Sequence, residues 1–338
     1  MISRKKVSYK ITASLRHYLY HYGRQSDIPL NYEDLTGFIG AIPYEDPDGD
    51  ETLWLTVFYS PEVMEELRVK LTKVYATLQI GGDSSYHEHL VVDRIDLGEF
   101  GNSRPFRIKI TNQFNDNSDY YYVKVADASR IYGLELEHIL SPNRMNYIVN
   151  GNTLIENHVA GLPGDVFLGD YLQSKRINAV RIAKEFVKFN ERCFIRLLGD
   201  MRSVNYVVDI TPDFEEVQYR VRPIDFDQQS YEGKCKVYHS YNFSSNRSIT
   251  RLSFKSLNRT TIRQYAEEER SQMSNRAASE SRRLKGLLRI MRKEKLSVEE
   301  NITRLVSELN TIHETDIFSD CDTMGKLTER HIYYMLKL

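Results

Sequence analysis

Three strand-like segments, a helix and a hairpin follow one another between residues 90 and 160, and this order restricts the fold of the 338-residue chain most strongly. The strand segments read LVVDRID, FRIKIT and YYYVKVAD and are rich in β-branched and aromatic residues. ASRIYGLELEHIL then predicts a short helix, and NYIV and NTLIENHV flank Asn150-Gly151, a strong hairpin signal. The order predicts a five-stranded antiparallel sheet with one helix inserted after its third strand.

The segments on either side predict an N-terminal α+β region and a helical C-terminal region. GFIGAIPY and ETLWLTVFYS surround the turn-forming EDPDGD and predict a hairpin, and SPEVMEELRVKLTKVYATL predicts a helix. GGDSS at 81–85 is the best linker signal. Farther along, INAVRIAKEFVKFN predicts a helix, VNYVVDITPDFEEVQYRVRPIDFD predicts a hairpin, and the last hundred residues are mostly helical in pattern.

The composition is that of an ordinary globular chain, with 41% apolar and 28% charged residues and a formal net charge of −1. The near-zero charge argues against bulk binding of nucleic acid or membrane. No apolar run of about 18 residues is present, so we expect no membrane partner. Cys193, Cys235 and Cys321 are odd in number and widely spaced, which favours a reducing, cytoplasmic location.

The segment LLGDMRSVNYVVD carries the most chemistry, because Asp200 and Asn205 lie in a loop between a predicted helix and a predicted strand. Phosphoryl transfer to a hydroxyl needs a carboxylate that orients the hydroxyl and hard oxygen ligands for magnesium. A tight loop can direct Asp200 and Asn205 into one cleft, and Asp225 in IDFD ends the following hairpin. An isolated Asp-x4-Asn pair is more often an ordinary polar turn, so the neighbouring segments carry the prediction.

Lys124 lies inside the strand segment YYYVKVAD, where alternation places it on a face of the sheet. A buried lysine needs an anionic partner to keep its charge. Glu135 and Glu137 on the next helix are the candidates, and the spacing does not choose between them. The alternative is a solvated strand lysine.

In these segments the chain resembles the protein-kinase-like superfamily, closer to its aminoglycoside and choline kinase branch than to ordinary protein kinases. DLGEFGNSRPFRIKI resembles a glycine loop, YVKV the strand-three lysine motif, LGDMRSVN the catalytic loop, and IDFD the Asp-Phe-Gly motif. LIENHVAGLPGDVFLGDYL resembles the fifth strand and hinge, where the family binds adenine. The resemblance implies a bilobal α+β fold: a small lobe at 89–162 with an antiparallel sheet and a helical large lobe at 163–338, preceded by an accessory α+β domain at 1–88.

The resemblance also implies roles for individual residues. Asp200 would be the catalytic base, Asn205 and Asp225 would bind magnesium, and Lys124 would bind the α- and β-phosphates of ATP. The remaining nucleotide-site residues would be the glycine-loop pair, the glutamates that steady the lysine, and the hinge: Gly98, Gly101, Glu135, Glu137, Glu156 and Val159. Three positions depart from the family pattern: Leu198 stands where the family has histidine, Gly199 fits the small-molecule branch, and Asp227 replaces the last glycine of Asp-Phe-Gly.

The function that follows is an ATP- and magnesium-dependent phosphotransferase acting on a hydroxyl of an unidentified small molecule or protein. The incomplete glycine loop and Leu198 favour an alternative, a pseudokinase that serves as a nucleotide-binding or partner-binding scaffold. A third hypothesis is a structural or nucleic-acid-associated protein. It rests on a basic series at every fourth residue and a second cluster at 282–295, which can hold an anionic partner: Arg247, Arg251, Lys255, Arg259 and Arg263.

Overall fold

The fold is mixed α+β with antiparallel sheets, as the sequence predicts. A computed structural model describes residues 6–46, 49, 51–80, 89–99, 103–174, 177–212 and 217–338. The chain forms two compact units. The first, here called the sheet unit, comprises Met1–Asp127 and Met145–His158, and the second, the helical unit, comprises Ala128–Arg144 and Val159–Leu338.

The sheet unit contains two helices and seven strands among its described residues. The helices are α1 (Ala13–His21) and α2 (Pro61–Ile80). The strands are β1 (Gly40–Glu45), β2 (Glu51–Phe58), β3 (Leu90–Gly98), β4 (Phe106–Asn112), β5 (Asn117–Val125), β6 (Tyr147–Asn150) and β7 (Thr153–Asn157).

All seven strands form one antiparallel sheet in the order β1-β2-β3-β4-β5-β7-β6. The strands predicted over 90–160 are therefore adjacent, with the helix inserted after the third of them. The N-terminal hairpin continues the same sheet, because Trp54–Thr56 of β2 pair with Asp96–Gly98 of β3. The predicted accessory domain at 1–88 thus shares its sheet with the predicted small lobe; the GGDSS linker lies outside the described residues.

One face of this sheet is apolar because side chains alternate along each strand. In β4, Phe106, Ile108 and Ile110 are buried while the residues between them are partly exposed. The α2 helix supplies the other half of the core with Leu67, Leu71, Val74 and Leu78, which recur at helical spacing and are at most 3% exposed. Lys124 has the opposite parity to Val123, so it belongs to the other, polar face.

The helical unit begins with the helix inserted after β5, α3 (Ala128–Leu140). It continues with α4 (Gly164–Gly169), α5 (Ala179–Arg196), α6 (Arg247–Ser256), α7 (Arg259–Ser279), α8 (Ser281–Met291), α9 (Glu299–His313) and α10 (Met324–Leu336). A small antiparallel sheet has the order β10-β9-β8, formed by β8 (Leu162–Pro163), β9 (Tyr206–Pro212) and β10 (Val217–Pro223).

The α5 helix lies at the centre of the helical unit. Asn178 caps its first turn by accepting a hydrogen bond from the Arg181 N–H, and its apolar face, including Phe186 and Phe189, is buried. Arg192 and Arg196 on the same helix are also almost fully buried, so they require acidic partners. Within the described ranges, no helix combines the length and the apolar composition needed to cross a bilayer.

Candidate active site

The loop between α5 and β9 contains Asp200 and Asn205 and has an unusual backbone. Leu197 ends α5 in the left-handed conformation with φ 55°, and Asp200 has φ 59°. Non-glycine residues adopt this conformation rarely, and it persists only when the surroundings fix it. Here the Gly199 N–H donates to the Gln228 carbonyl at 3.2 Å, and the Asp200 N–H donates to the Val237 carbonyl at 3.2 Å. The neighbouring segments therefore impose the conformation that orients Asp200.

The turn brings the side chains of Asp200 and Asn205 together, as the sequence predicts. Asn205 Nδ2 donates to the Asp200 carbonyl at 2.6 Å and lies 3.4 Å from Asp200 Oδ2. Because Nδ2 faces two acceptors, the amide oxygen must point the other way. Among the described residues, Asn205 Oδ1 accepts no hydrogen bond from a protein donor. The described residues therefore leave this amide oxygen without a donor.

Arg202 is a residue of this loop that the sequence interpretation missed. Its Nε lies 2.8 Å from Asp200 Oδ1, and its Nη2 donates to Asp200 Oδ2 at 2.9 Å, a two-point contact between guanidinium and carboxylate. Burial raises the pKa of Asp200 above its ordinary value, Arg202 and Asn205 oppose that shift, and the nearby negative charge of Asp227 adds to it. The sequence feature that could have indicated this contact is the arginine two residues after Asp200.

The segment after β10 lies directly against this loop. The Ile224 N–H donates to the Asn205 carbonyl at 3.0 Å, so the predicted ligand Asn205 accepts this backbone hydrogen bond and the predicted ligand Asp225 follows its donor. The Asp227 N–H donates to Asp225 Oδ1 at 3.0 Å. The Asp200–Asn205 loop and the Asp-Phe-Asp segment are therefore adjacent within the helical unit.

A second arginine that the sequence interpretation missed holds the carboxylates of the Asp-Phe-Asp segment. Arg130, in the first turn of α3 and with a side chain only 3% exposed, donates from Nη2 to Asp225 Oδ1 at 2.7 Å and from Nε to Asp227 Oδ1 at 2.8 Å. Gly133 brings α3 close to the same segment, because a Cβ there would lie 2.8 Å from the Phe226 Cβ. The helix and the Asp-Phe-Asp segment thus pack at a distance that only glycine permits.

The two glutamates of α3 have arginine partners within the helical unit. Arg283 donates from Nη2 to Glu135 Oε1 at 2.8 Å and from Nε to Glu135 Oε2 at 3.0 Å. Glu137 forms an ion pair with Arg196 and accepts hydrogen bonds from Ser141 Oγ at 2.5 Å and Asn143 Nδ2 at 2.7 Å. Burial opposes ionisation of Glu137, but Arg196 and these donors hold its pKa below the usual value.

Lys124 lies in the sheet unit, where it forms an ion pair with Glu156. Lys124 Nζ is 2.5 Å from Glu156 Oε2, and the two side chains are 9% and 8% exposed. The pair spans the adjacent strands β5 and β7, and Lys124 Nζ also lies 5.4 Å above the Tyr122 ring. Glu156, predicted as a hinge residue, therefore forms an ion pair with the lysine.

The other predicted nucleotide-site residues are Gly98, Gly101 and Val159. Gly98 is the last residue of β3, and its N–H donates to the Pro105 carbonyl at 2.8 Å. Gly101 lies outside the described residues. Val159 is partly exposed and is the first residue of the helical unit after the sheet unit ends at His158.

Neither the family models searched nor the curated proteins compared include a match to this chain. The kinase-like resemblance therefore stays an expectation drawn from its motifs. Within the part of the chain that the structure describes, no group of three or more His, Cys, Asp and Glu side chains is arranged to hold a metal ion. A magnesium site would accordingly depend on one carboxylate, Asp225, together with the amide oxygen of Asn205 and oxygens of the nucleotide.

Proposed function

We propose that the protein is an ATP- and magnesium-dependent phosphotransferase that acts on the hydroxyl of an acceptor molecule. The observation that carries the proposal is the joining of the Asp200–Asn205 loop to the Asp225 segment through the hydrogen bond from the Ile224 N–H to the Asn205 carbonyl. In the proposal, the carboxylate of Asp200, the amide oxygen of Asn205 and the carboxylate of Asp225 act together. Phosphoryl transfer to a hydroxyl uses a carboxylate that orients the hydroxyl and oxygen ligands that hold the metal ion.

In this proposal Asp200 orients the acceptor hydroxyl and takes its proton. The hydroxyl oxygen forms a bond to the γ-phosphorus of ATP, the bond between that phosphorus and the bridging oxygen breaks, and ADP leaves. Burial raises the pKa of Asp200 towards the range in which a carboxylate accepts protons more readily. Arg202 opposes that shift and fixes both carboxylate oxygens, so it is a positioning residue for Asp200.

Asn205 and Asp225 would hold magnesium, which when bound neutralises phosphate charge. The fit is supported by Asn205 Oδ1, which accepts no hydrogen bond from the described residues, and by Asp225, whose side chain is 31% exposed. Lys124 would bind the phosphates. Its Nζ forms an ion pair with Glu156 in a largely buried position, and an anionic partner favours the charged form that a phosphate-binding lysine needs.

A pseudokinase that binds nucleotides or partners without transfer is the second candidate. The observation that favours it is that Arg202 and Arg130 already neutralise Asp200 and Asp225. Such contacts would hinder proton acceptance by Asp200 and metal binding by Asp225, because the guanidinium groups occupy the carboxylate oxygens.

Nucleotide binding and transfer separate the two candidates. We expect magnesium with ATP to raise the melting temperature of the wild type, Asp225→Ala to abolish this increase, and Asp200→Asn to retain it while abolishing ADP formation. Glu267→Ala, an exposed acidic position on α7, is the matched control and should behave like the wild type. Binding without any transfer by the wild type would support the pseudokinase, and absence of any nucleotide-dependent shift would contradict both candidates.

A further inference from the structure

A series of positive side chains covers the exposed face of α6 and the start of α7. The cations recur at every fourth residue, and all are exposed: Arg247, Arg251, Lys255, Arg259 and Arg263. Within α6 this spacing places Arg247, Arg251 and Lys255 on one side and about 6 Å apart along the axis. Arg259 and Arg263 repeat the spacing at the start of α7, after the extended residue Leu257. We call this series the α6–α7 basic face.

The orientation of α6 is fixed by its apolar side. Ile249 is fully buried and Ser253 is 5% exposed, and at 100° per residue both lie opposite Arg247 and Arg251. Phe254, by contrast, is 68% exposed and projects on the same side as the cations. The helix therefore presents arginines together with a large aromatic ring, and packing into the core explains neither.

The five cations form no ion pair with any described residue, whereas other basic side chains nearby do. Lys188, for example, lies 2.6 Å from Glu268, and Arg270 lies 2.5 Å from Glu191. Among the described residues, no acidic side chain therefore balances the positive charge of the α6–α7 basic face.

Two of these cations also stand where the helix backbone disfavours them. Arg247 is the first residue of α6 and Arg259 the first residue of α7, and neither helix has an acidic residue in its first turn. A positive charge at a helix N-terminus opposes the helix dipole and costs a few tenths of a kcal/mol or more. An anionic ligand at this face would remove that repulsion.

The basic face starts beside the loop of Asp200. Asn246, the residue before Arg247, is fully buried and donates from Nδ2 to the Met201 carbonyl at 2.8 Å, while Tyr206 Oη donates to Asn246 Oδ1 at 2.9 Å. The Ser203 N–H donates to Ser245 Oγ at 3.2 Å. The N-terminus of α6 is therefore fixed to the candidate catalytic loop by side-chain hydrogen bonds.

We propose that the α6–α7 basic face binds single-stranded nucleic acid. Its regularly spaced cations match a ligand that carries one negative charge per nucleotide, and guanidinium groups can contact a phosphate at two points. The exposed ring of Phe254 supplies a surface on which a base can stack, so it favours a ligand that carries aromatic bases as well as negative charge. A nucleic acid bound here could supply the acceptor hydroxyl, and that step rests on the proposed function. The binding of nucleic acid does not depend on the proposed function.

The test measures binding of a fluorescein-labelled oligouridylate of about 20 nucleotides by anisotropy over a salt series, without ATP or magnesium. If all five cations contact phosphates, log K should fall with log salt with a slope of about −3.5. Replacing three of them in Arg247→Gln, Arg251→Gln, Lys255→Gln should weaken the slope by about 2. Phe254→Ala should reduce the affinity about tenfold with little change in slope.

The controls carry equal changes elsewhere. Arg282→Gln, Lys285→Gln, Arg289→Gln removes two arginines and a lysine from exposed positions of α8, and Phe114→Ala removes a ring that is 82% exposed in the sheet unit. Both controls should bind like the wild type. Equal loss in the α8 variant, no binding by the wild type, or equal competition by polyglutamate of the same length would each overturn the proposal. None of these outcomes depends on phosphoryl transfer, which the ADP assay reports separately.

Discussion

Arg130 donates to Asp225 Oδ1 at 2.7 Å and to Asp227 Oδ1 at 2.8 Å, so one almost fully buried guanidinium holds both carboxylates of the Asp-Phe-Asp segment. A divalent cation and this guanidinium seek the same oxygen atoms. The position of Arg130, in the first turn of α3, would therefore affect the binding of a metal ion by Asp225. If Arg130 moves away, these carboxylate oxygens become available to a metal ion; if it stays, it lowers the affinity of the two carboxylates for the metal.

We expect Arg130→Gln to lower the free energy of unfolding by about 2 kcal/mol or more, because two partly buried carboxylates lose their cation. Manganese alone should stabilise this variant more than the wild type, since the ion would replace the lost charge. Melting temperatures over a manganese titration measure both effects. Arg144→Gln, at a side chain that is 70% exposed, serves as the control, and equal manganese shifts in all three proteins would contradict the prediction.

The Lys124–Glu156 pair should show strong coupling. Lys124→Met leaves a buried carboxylate without its ammonium partner and should cost about 3 kcal/mol of stability. The double variant Lys124→Met, Glu156→Gln should recover a substantial part of that loss, because both charges of the pair are removed together. Urea unfolding of the four proteins gives the coupling free energy. Additive losses in the double variant would show that the two side chains do not stabilise each other.

Gly133→Ala should lower the free energy of unfolding by about 1–3 kcal/mol, because the added Cβ overlaps Phe226 and α3 must shift. Gly169→Ala in α4 meets nothing within 4 Å and should leave stability nearly unchanged. Urea titrations compare the two alanine variants. If they are equally stable, the close approach of α3 to the Asp-Phe-Asp segment is incorrect.

His331 should make the protein sensitive to acid. It is fully buried, its Nδ1 lies 3.2 Å from the Ile195 carbonyl, and its Nε2 lies 3.2 Å from His313 Nε2. Burial, with the positive charges of His313, His239 and Arg270, lowers its pKa from 6.5 to about 3. Between these two values the unfolded chain binds a proton that the folded chain does not. Stability is therefore retained above pH 6.5 and lost as the pH falls towards 3.

His331→Gln removes this titration, so the unfolding free energy should change less between pH 6.5 and pH 4, by up to about 1.4 kcal/mol per pH unit. Urea titrations at several pH values measure the difference. His21→Gln, at an exposed histidine of α1, should follow the wild type. An unchanged pH profile in His331→Gln would exclude His331 as the source of acid sensitivity.

Local sequence patterns were sufficient to predict many of the helices and strands and one contact of the candidate site. The strands over 90–160, the hairpin of β9 and β10, and the helix before Asp200 follow from alternation and helical periodicity over short stretches. The meeting of Asp200 and Asn205 was also predictable, because both lie in the same short loop. In each case the interacting residues are close in sequence, so their chemistry restricts the geometry directly.

Ion-pair partners that are distant in sequence could be identified only from the folded chain. Lys124 forms an ion pair with Glu156, 32 residues away, and Glu135 pairs with Arg283, 148 residues away. Burial leaves each charge in need of a partner, yet many residues of the right sign exist along the chain. Strand pairing and helix packing choose among them, and they also join the N-terminal hairpin to the central sheet. The sequence determines that such groups must be paired, while the tertiary structure selects the pairs, because side-chain contacts depend on distances that only packing sets.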